Sequence, residues 1–307
     1  MMEWQGNLLL LDSGNALFAN AGVATDADKK RATFVFQVME ELGYRVMAVG
    51  QRDLSAGTAF LEGLAKGKKV KLLSANLQRD GKRIFDASVL IDVKGVKVGI
   101  IGLSAPGPLA PNEPKVVAAP TMDALKAALA ELGPRDVTVV LAATSYADAM
   151  QLSTEAKDVD FVIQSGEFRG TVPPQRLSDT SAVLLASGQK GQAMAKLDLS
   201  LGNGKGAFVD LSIADRDRQQ ADFVGEQIKT LKERLKLAKD KEGIAQLKLT
   251  LGDFQKRQAE LNAAANKKSG DVKRFNFEWK VLGSDVVDDP GLKARVLEID
   301  PGYSGTH

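Results

Sequence analysis

Few side chains in this 307-residue sequence are equipped for chemistry, and those few cluster after apolar runs. The stretch from Val46 to Gly57 opens as a β-branched run, Val46 to Val49, closed by Gly50, after which a loop presents Gln51, Arg52 and Asp53. Asp12 and Asn15 follow the run Leu8–Leu11 in the same way, and Glu167 follows Phe161–Ile163. An α/β fold collects such residues at the C-terminal edge of its strands. The oxygen donors Asp12, Asn15, Gln51, Asp53 and Glu167 are of the type that holds a single Mg²⁺ or Ca²⁺. Arg52, Arg169 and Lys190 suit a phosphate-like anion held by charge-assisted hydrogen bonds. A third reading needs no ligand: Asp12 caps the loop that follows it, and Arg52 pairs with Asp53, Asp12 or Glu167.

What is missing narrows the chemistry further. The chain has no cysteine, which excludes disulfides, thiolate zinc sites, iron–sulfur clusters and Cys nucleophiles. Its one histidine is the terminal residue, His307, so Ser–His triads and imidazole metal sites have no place in the body of the chain. Ser104 therefore has no base to activate it. Gly202-Asn-Gly-Lys-Gly206 links two expected strands instead of opening a helix, and reads as a hairpin loop. A net charge of +2 gives no case for nucleic acid or an anionic membrane. No apolar window reaches the ~18 residues a membrane span needs. The first residues lack the basic and apolar regions of a leader, and the near-immediate first strand fits a mature or truncated chain.

The elements that must position these residues alternate strand and helix, which implies a layered α/β domain. Strands are expected at Leu8–Leu11, Arg45–Val49, Val70–Ser74, Val137–Leu141, Phe161–Ile163 and Val183–Ala186. Helices are expected at Asp28–Leu42, Ala56–Lys66, Met122–Glu131 and Tyr146–Ala156, the first with Thr25 or Asp26 as N-cap and Gly43 as C-cap. Two β-hairpins are expected, Ser88–Val93 with Val96–Leu103 and Ala193–Leu199 with Phe208–Ile213. From about residue 215 the texture becomes charged helix. Val224, Ile228, Leu231, Leu235 and Ala238 form one apolar stripe, and Ile244, Leu247, Leu251, Phe254 and Leu261 another. Their phase changes near Gly243, which predicts an antiparallel helical hairpin with arms of roughly 35–40 Å; a continuous coiled coil with a stutter is the alternative. Phe275, Phe277, Trp279 and Val281 then alternate with polar residues as a strand with one buried face, returning to the α/β domain. The expected organisation is an α/β domain over residues 1–213, a helical arm over 214–270, and a returning strand and tail over 271–307.

Several motifs, in order, resemble the 5′-nucleotidases and related calcineurin-like metallophosphoesterases. Leu8-Leu-Leu-Leu-Asp-Ser-Gly-Asn15 is similar to that family's Leu-Leu-Asp-Ala-Gly-Asp, whose last Asp bridges two metals. Gly50-Gln-Arg-Asp53 stands where the family has Gly-Asn-His-Glu. Leu72-Leu-Ser-Ala-Asn76 and Gly95–Leu103 resemble its framework; Asp136–Ala143 resembles the strand ending in Ser-His, and Asp160–Phe168 the strand entering Gly-Gly-His-x-His. Ser187–Gly191 resembles the glycine-containing segment that follows. The resemblance implies a four-layer αββα sandwich, interrupted by the helical hairpin.

At each metal position implied by the resemblance the ligand is changed. The bridging Asp is Asn15, the ligand Asn is Gln51, and the loop His is Arg52. Ala143, Gly166 and Phe168 stand where the remaining histidines would be, and the family's upstream Asp-x-His motif has no counterpart. Ala, Gly and Phe cannot coordinate a cation, so an intact two-metal mechanism is excluded. The expectation is a catalytically inactive homologue that needs no cofactor and binds a protein partner, or itself, through the helical arm. Two alternatives stay open: a divergent phosphoesterase with a remodelled Mn, Zn or Fe site, and a small-anion or nucleotide binding protein. About 94 residues follow Ile213 and over half are helical arm, so the C-terminal nucleotide-binding domain that the resemblance would bring is not expected in this sequence. The resemblance also implies a periplasmic or extracellular, sometimes lipid-anchored, location.

Overall fold

The computed structural model describes residues 7–167, 170, 173–178, 180–186, 191–204, 206–265, 271–283 and 286–302. Along the chain, β1 (Leu10–Asp12) leads to α1 (Asp26–Leu42), β2 (Tyr44–Ala48), a 3₁₀ turn (Arg52–Ala56), α2 (Thr58–Ala65) and β3 (Lys71–Leu73). Short strands β4 (Leu77–Arg79) and β5 (Lys82–Arg83) precede the hairpin of β6 (Ser88–Val93) and β7 (Val96–Ser104). Then come β8 (Gly107–Pro108), β9 (Val116–Ala118), α3 (Thr121–Glu131), β10 (Val137–Ala143), α4 (Tyr146–Glu155), β11 (Phe161–Ser165) and β12 (Val183–Ala186). The last elements are β13 (Ala193–Ser200), β14 (Val209–Asp210), α5 (Leu211–Leu237), α6 (Lys241–Ala265), β15 (Arg274–Val281) and α7 (Pro290–Ile299). They form two compact units, one of residues 1–195 with 279–307 and one of Lys196–Glu278.

The first unit is the expected four-layer sandwich. One sheet has the order β1-β2-β3, all parallel; the other runs β12-β11-β10-β7-β6, parallel except for the antiparallel edge strand β6. The sheets meet face to face, so closely that a Cβ on Gly102 of β7 would lie 2.4 Å from the Leu73 carbonyl oxygen of β3. On the outer face of the smaller sheet, Met47 and Leu72 pack with Phe36 and Met39 of α1 and Leu61 of α2. On the outer face of the larger sheet, Leu103, Val140 and Val162 pack with Leu125 of α3 and Leu152 of α4. Covered on both faces, β10 is buried at every residue, which is why its sequence is apolar at every position but Thr138 and does not alternate. Strands β5-β4-β9-β8 form a small antiparallel sheet.

Local signals in the sequence hold where they rest on chain geometry. Thr25 and Asp28 form a reciprocal capping box at the start of α1, and Gly43 ends it at φ 88°. Lys94 and Gly95 turn the β6–β7 hairpin with positive φ at both positions, the geometry a two-residue hairpin needs.

The second expected hairpin does not form. β13 and β14 lie in one sheet, but its order is β13-β15-β14: β15 enters between them, and β14 pairs with it in parallel. Phe208 and Phe275 are buried, and Asp210 accepts the Ser212 N–H at 2.8 Å, starting α5 at Leu211 where a strand was expected. The helical stripes do build a hairpin. α5 and α6 pack against each other about a turn near Asp240, and Gln258 Nε2 of α6 donates to the Ala221 carbonyl of α5 at 3.1 Å. Ala221, Val224 and Ile228 are buried, while Leu231, Leu235, Ile244, Leu247 and Leu251 are half-buried.

Candidate functional site

Four parallel strand ends supply the site: Ser13–Asn15 after β1, Gly50–Asp53 after β2, Ala143 at the end of β10, and Ser165–Glu167 at the end of β11. Asp53 is its hub. Fully buried, it accepts the Asn15 N–H at 2.6 Å and the Gly50 N–H at 2.8 Å on Oδ2, and the Leu17 N–H at 3.0 Å on Oδ1. Those three donors belong to the two loops that follow β1 and β2, so one carboxylate fixes both. Asn15 adopts the left-handed conformation, φ 65°, open to Asn at small cost. Its Oδ1 accepts the Arg52 N–H at 3.0 Å, and its Nδ2 donates to Ser165 Oγ at 3.3 Å. Ser165 Oγ in turn donates to the Ser13 carbonyl at 2.6 Å.

Glycine is required beside this side chain. A Cβ on Gly50 would lie 2.4 Å from Asn15 Cγ, and one on Gly14 would lie 2.7 Å from the Ala48 carbonyl oxygen. Behind the loops, Ser74, Asn76 and Ser104 form a buried polar seam between the sheets. Asn76 Oδ1 accepts the Ser104 N–H at 2.8 Å, and Ser104 Oγ donates to the Val49 carbonyl at 2.6 Å.

The electrostatics follow from burial. Burial pushes the Asp12 carboxyl up from 3.8 to about 7; the Gly14 N–H opposes this, neighbouring Asp53 adds to it and Arg52 opposes it. Burial also raises Asp53, against the three N–H groups that bind its anion and the nearby Arg52. The Arg52 guanidinium points outward and donates to the Ala19 carbonyl at 3.4 Å.

Asp12, Asn15, Gln51, Arg52, Asp53, Ala143, Gly166 and Glu167 lie on these four strand ends, so the residues singled out in the sequence converge. Phe168, Arg169 and Lys190 lie outside the described residues. Asp12 does cap its own loop, accepting the Gly14 N–H at 2.7 Å. The expected ion pair of Arg52 is not present: among the described residues no carboxylate lies within pairing distance of it. The reason is that Asp53 is turned inward to backbone donors, and Glu167 accepts the Tyr146 N–H at 3.1 Å. Ser165 and Ser13 escaped the sequence reading; the available signal was a serine beside a glycine at the end of an apolar strand.

The donor set does not fit a pair of metal ions. Both amide atoms of Asn15 are engaged with protein partners, Ala143 and Gly166 have no donor, and Asp53 is saturated by amides. Among the described residues, no group of three or more Asp, Glu, His or Cys side chains is arranged to hold a metal ion.

The sandwich has the fold of solved 5′-nucleotidases, and about a third of the chain is similar in sequence to proteins of that kind. The chain is 35% identical over 101 residues to Protein UshA of Yersinia enterocolitica, and 32% identical over 105 residues to a 5′-nucleotidase of Vibrio cholerae. Those matches cover 32% and 34% of this chain but only 18% of each relative's length. No family model matches. Among solved structures, a 5′-nucleotidase precursor from Thermus thermophilus aligns with a TM-score of 0.56 and 22% identity, covering 66% of this chain and 44% of that one. The sulfate thiohydrolase SoxB from the same species aligns at 0.53 and 20%, covering 64% and 36%. At these identities the structural likeness speaks for the fold alone.

Proposed function

We propose that this chain is a non-catalytic relative of the 5′-nucleotidases, in which the sandwich serves as a scaffold and the helical hairpin binds a protein partner or a second copy. The observation that carries the reading is the state of Asn15. At the position where the resemblance places the metal-bridging carboxylate stands a neutral amide. Its oxygen is held by the Arg52 N–H and its nitrogen by Ser165, in a loop locked by Asp53. A site wired this tightly to itself is built to hold its shape, with Asn15 and Asp53 committed to protein partners instead of a cation. The half-buried leucines of α5 and α6 support the interaction role, since two helices alone cannot cover both apolar stripes. By analogy with its relatives we place the protein outside the cytoplasm; among the described residues no helix is long and apolar enough to cross a membrane.

The test is turnover. Purified protein supplied with Mn²⁺, Zn²⁺, Mg²⁺ or Fe²⁺ is expected to leave a panel of nucleotides and phosphate monoesters and diesters intact at the background rate. Metal-dependent hydrolysis that disappears in Asp12→Asn would replace this reading with a divergent hydrolase.

A further inference from the structure

A cavity of about 220 Å³ opens on the flank of the sandwich, lined by Arg45, Lys69, Lys71, Val89, Leu90, Ile91 and Asp92. It lies away from the strand-end site: Arg45 is near the start of β2 and Lys71 at the start of β3, the opposite ends from those that carry Gly50 and Ser74. The cavity sits where two sheets end. β3 is an edge strand of the smaller sheet and β6 of the larger. Lys71 opens β3 beside Leu72, which is buried toward the helices, so Lys71 projects to the other face, toward the second sheet; Lys69 stands just before the strand.

The lining carries three cations against one carboxylate, Asp92. Arg45, Lys69 and Lys71 make no ion pair among the described residues. The nearby Glu40 is taken by Lys68 Nζ at 2.9 Å and the Lys69 N–H at 3.1 Å, and Asp92 accepts the Gly95 N–H at 2.8 Å within its own turn. Beneath the cations the floor is apolar, and Leu90 remains 42% exposed on the edge strand. Lysines at a sheet edge repel a second edge of the same kind, which is their usual protective role. Here they also select: an acidic strand meets attraction where a copy of this edge meets repulsion.

We propose that this flank is a docking site for an extended acidic segment of a partner protein. The segment adds to the β6 edge, with a carboxylate side chain among Arg45, Lys69 and Lys71 and an apolar neighbour on Leu90. The proposal is independent of whether the strand-end site is active.

Fluorescence anisotropy of the full chain with a labelled extended peptide of alternating Glu and Val tests it, with a Gln–Val peptide, a polyanionic oligonucleotide and free glutarate as comparisons. The expected result is saturable binding of the Glu–Val peptide that weakens roughly tenfold or more for Gln–Val and in Lys69→Glu/Lys71→Glu. Leu90→Asp, which leaves the three cations in place, should weaken it as well. Far-UV circular dichroism establishes that each variant is folded, and Arg45→Gln provides a milder probe should the double reversal not fold. Absence of binding overturns the proposal, as does binding unchanged in Lys69→Glu/Lys71→Glu or in Arg45→Gln. Glutarate displacing the peptide at equal concentration would make this a small-anion site, and tighter oligonucleotide binding a nucleic-acid surface; either result overturns it too.

Discussion

At the scale of single residues the site is a problem in satisfying buried polar groups, and Asp53 solves most of it. Removing its carboxylate in Asp53→Ala leaves the Asn15, Gly50 and Leu17 N–H groups without their acceptor. We expect a loss of roughly 3–5 kcal/mol in urea unfolding, since each orphaned buried donor costs about 1–3 kcal/mol and part is recovered by relaxation. Gly50→Ala drives a Cβ into Asn15 and should cost about 1–3 kcal/mol by the same measurement. Asp12 contributes a pH dependence of its own. Its folded carboxyl is raised from 3.8 to about 7, so between those values the folded state binds more protons than the unfolded state. Its contribution to stability is therefore greatest at acid pH, falls as pH rises through that window, and levels off above about 7. Subtracting the stability–pH profile of Asp12→Asn from that of the wild type should leave this decline; a flat difference would show that Asp12 titrates normally. The identity of these residues was legible in the sequence, because each follows an apolar run. Their partners were not. Nothing in the sequence reveals that Asp53 turns inward to three amides from two loops, which is why an ion pair with Arg52 was expected and is not found.

At the scale of elements, what the sequence revealed depended on whether the signal was local. The caps of α1 at Thr25 and Gly43, the β6–β7 turn and the apolar stripes of α5 and α6 are short-range patterns, and each is present. The expected pairing of β13 with residues 208–213 failed because pairing depends on a third strand, β15, arriving from over 60 residues further along to occupy the space between. A glycine-rich loop cannot announce that. α2 shows a long-range cap of the same kind: Glu113 Oε1 accepts the Thr58 N–H at 2.9 Å and Oε2 the Thr58 hydroxyl at 2.6 Å. Glu113→Ala should cost about 1 kcal/mol, visible as a lower midpoint in urea with an unchanged slope. In the hairpin, Ile228→Ala removes a buried side chain and should cost about 2–4 kcal/mol, whereas Leu237→Ala, at a residue 78% exposed, should be near neutral.

At the scale of the whole molecule the chain is an interrupted sandwich. Its first unit is closed by residues from both sides of the second, and the Leu282 N–H donates to the Gln192 carbonyl at 2.7 Å where the two stretches meet. Replacing Lys196–Glu278 by a short Gly–Ser linker is accordingly expected to leave the first unit folded, with cooperative thermal unfolding by circular dichroism; a molten product would mean that the sandwich depends on the inserted unit. The sandwich was foreseeable because strand–helix alternation and the ordered motifs act over its whole length, whereas the hydrogen bonds that join its strand-end loops depend on residues far apart in the chain. One of the relatives reported is a 5′-nucleotidase by name, yet the matched segments are 18% of each relative's length, and here Asn15 and Asp53 are turned to the protein itself. The most direct test of that central claim is metal stoichiometry. After equilibration with Mn²⁺ or Zn²⁺ and exhaustive dialysis, elemental analysis should find far less than one ion per chain, unchanged in Asp12→Asn. One or two ions retained per chain, and lost in that variant, would contradict it.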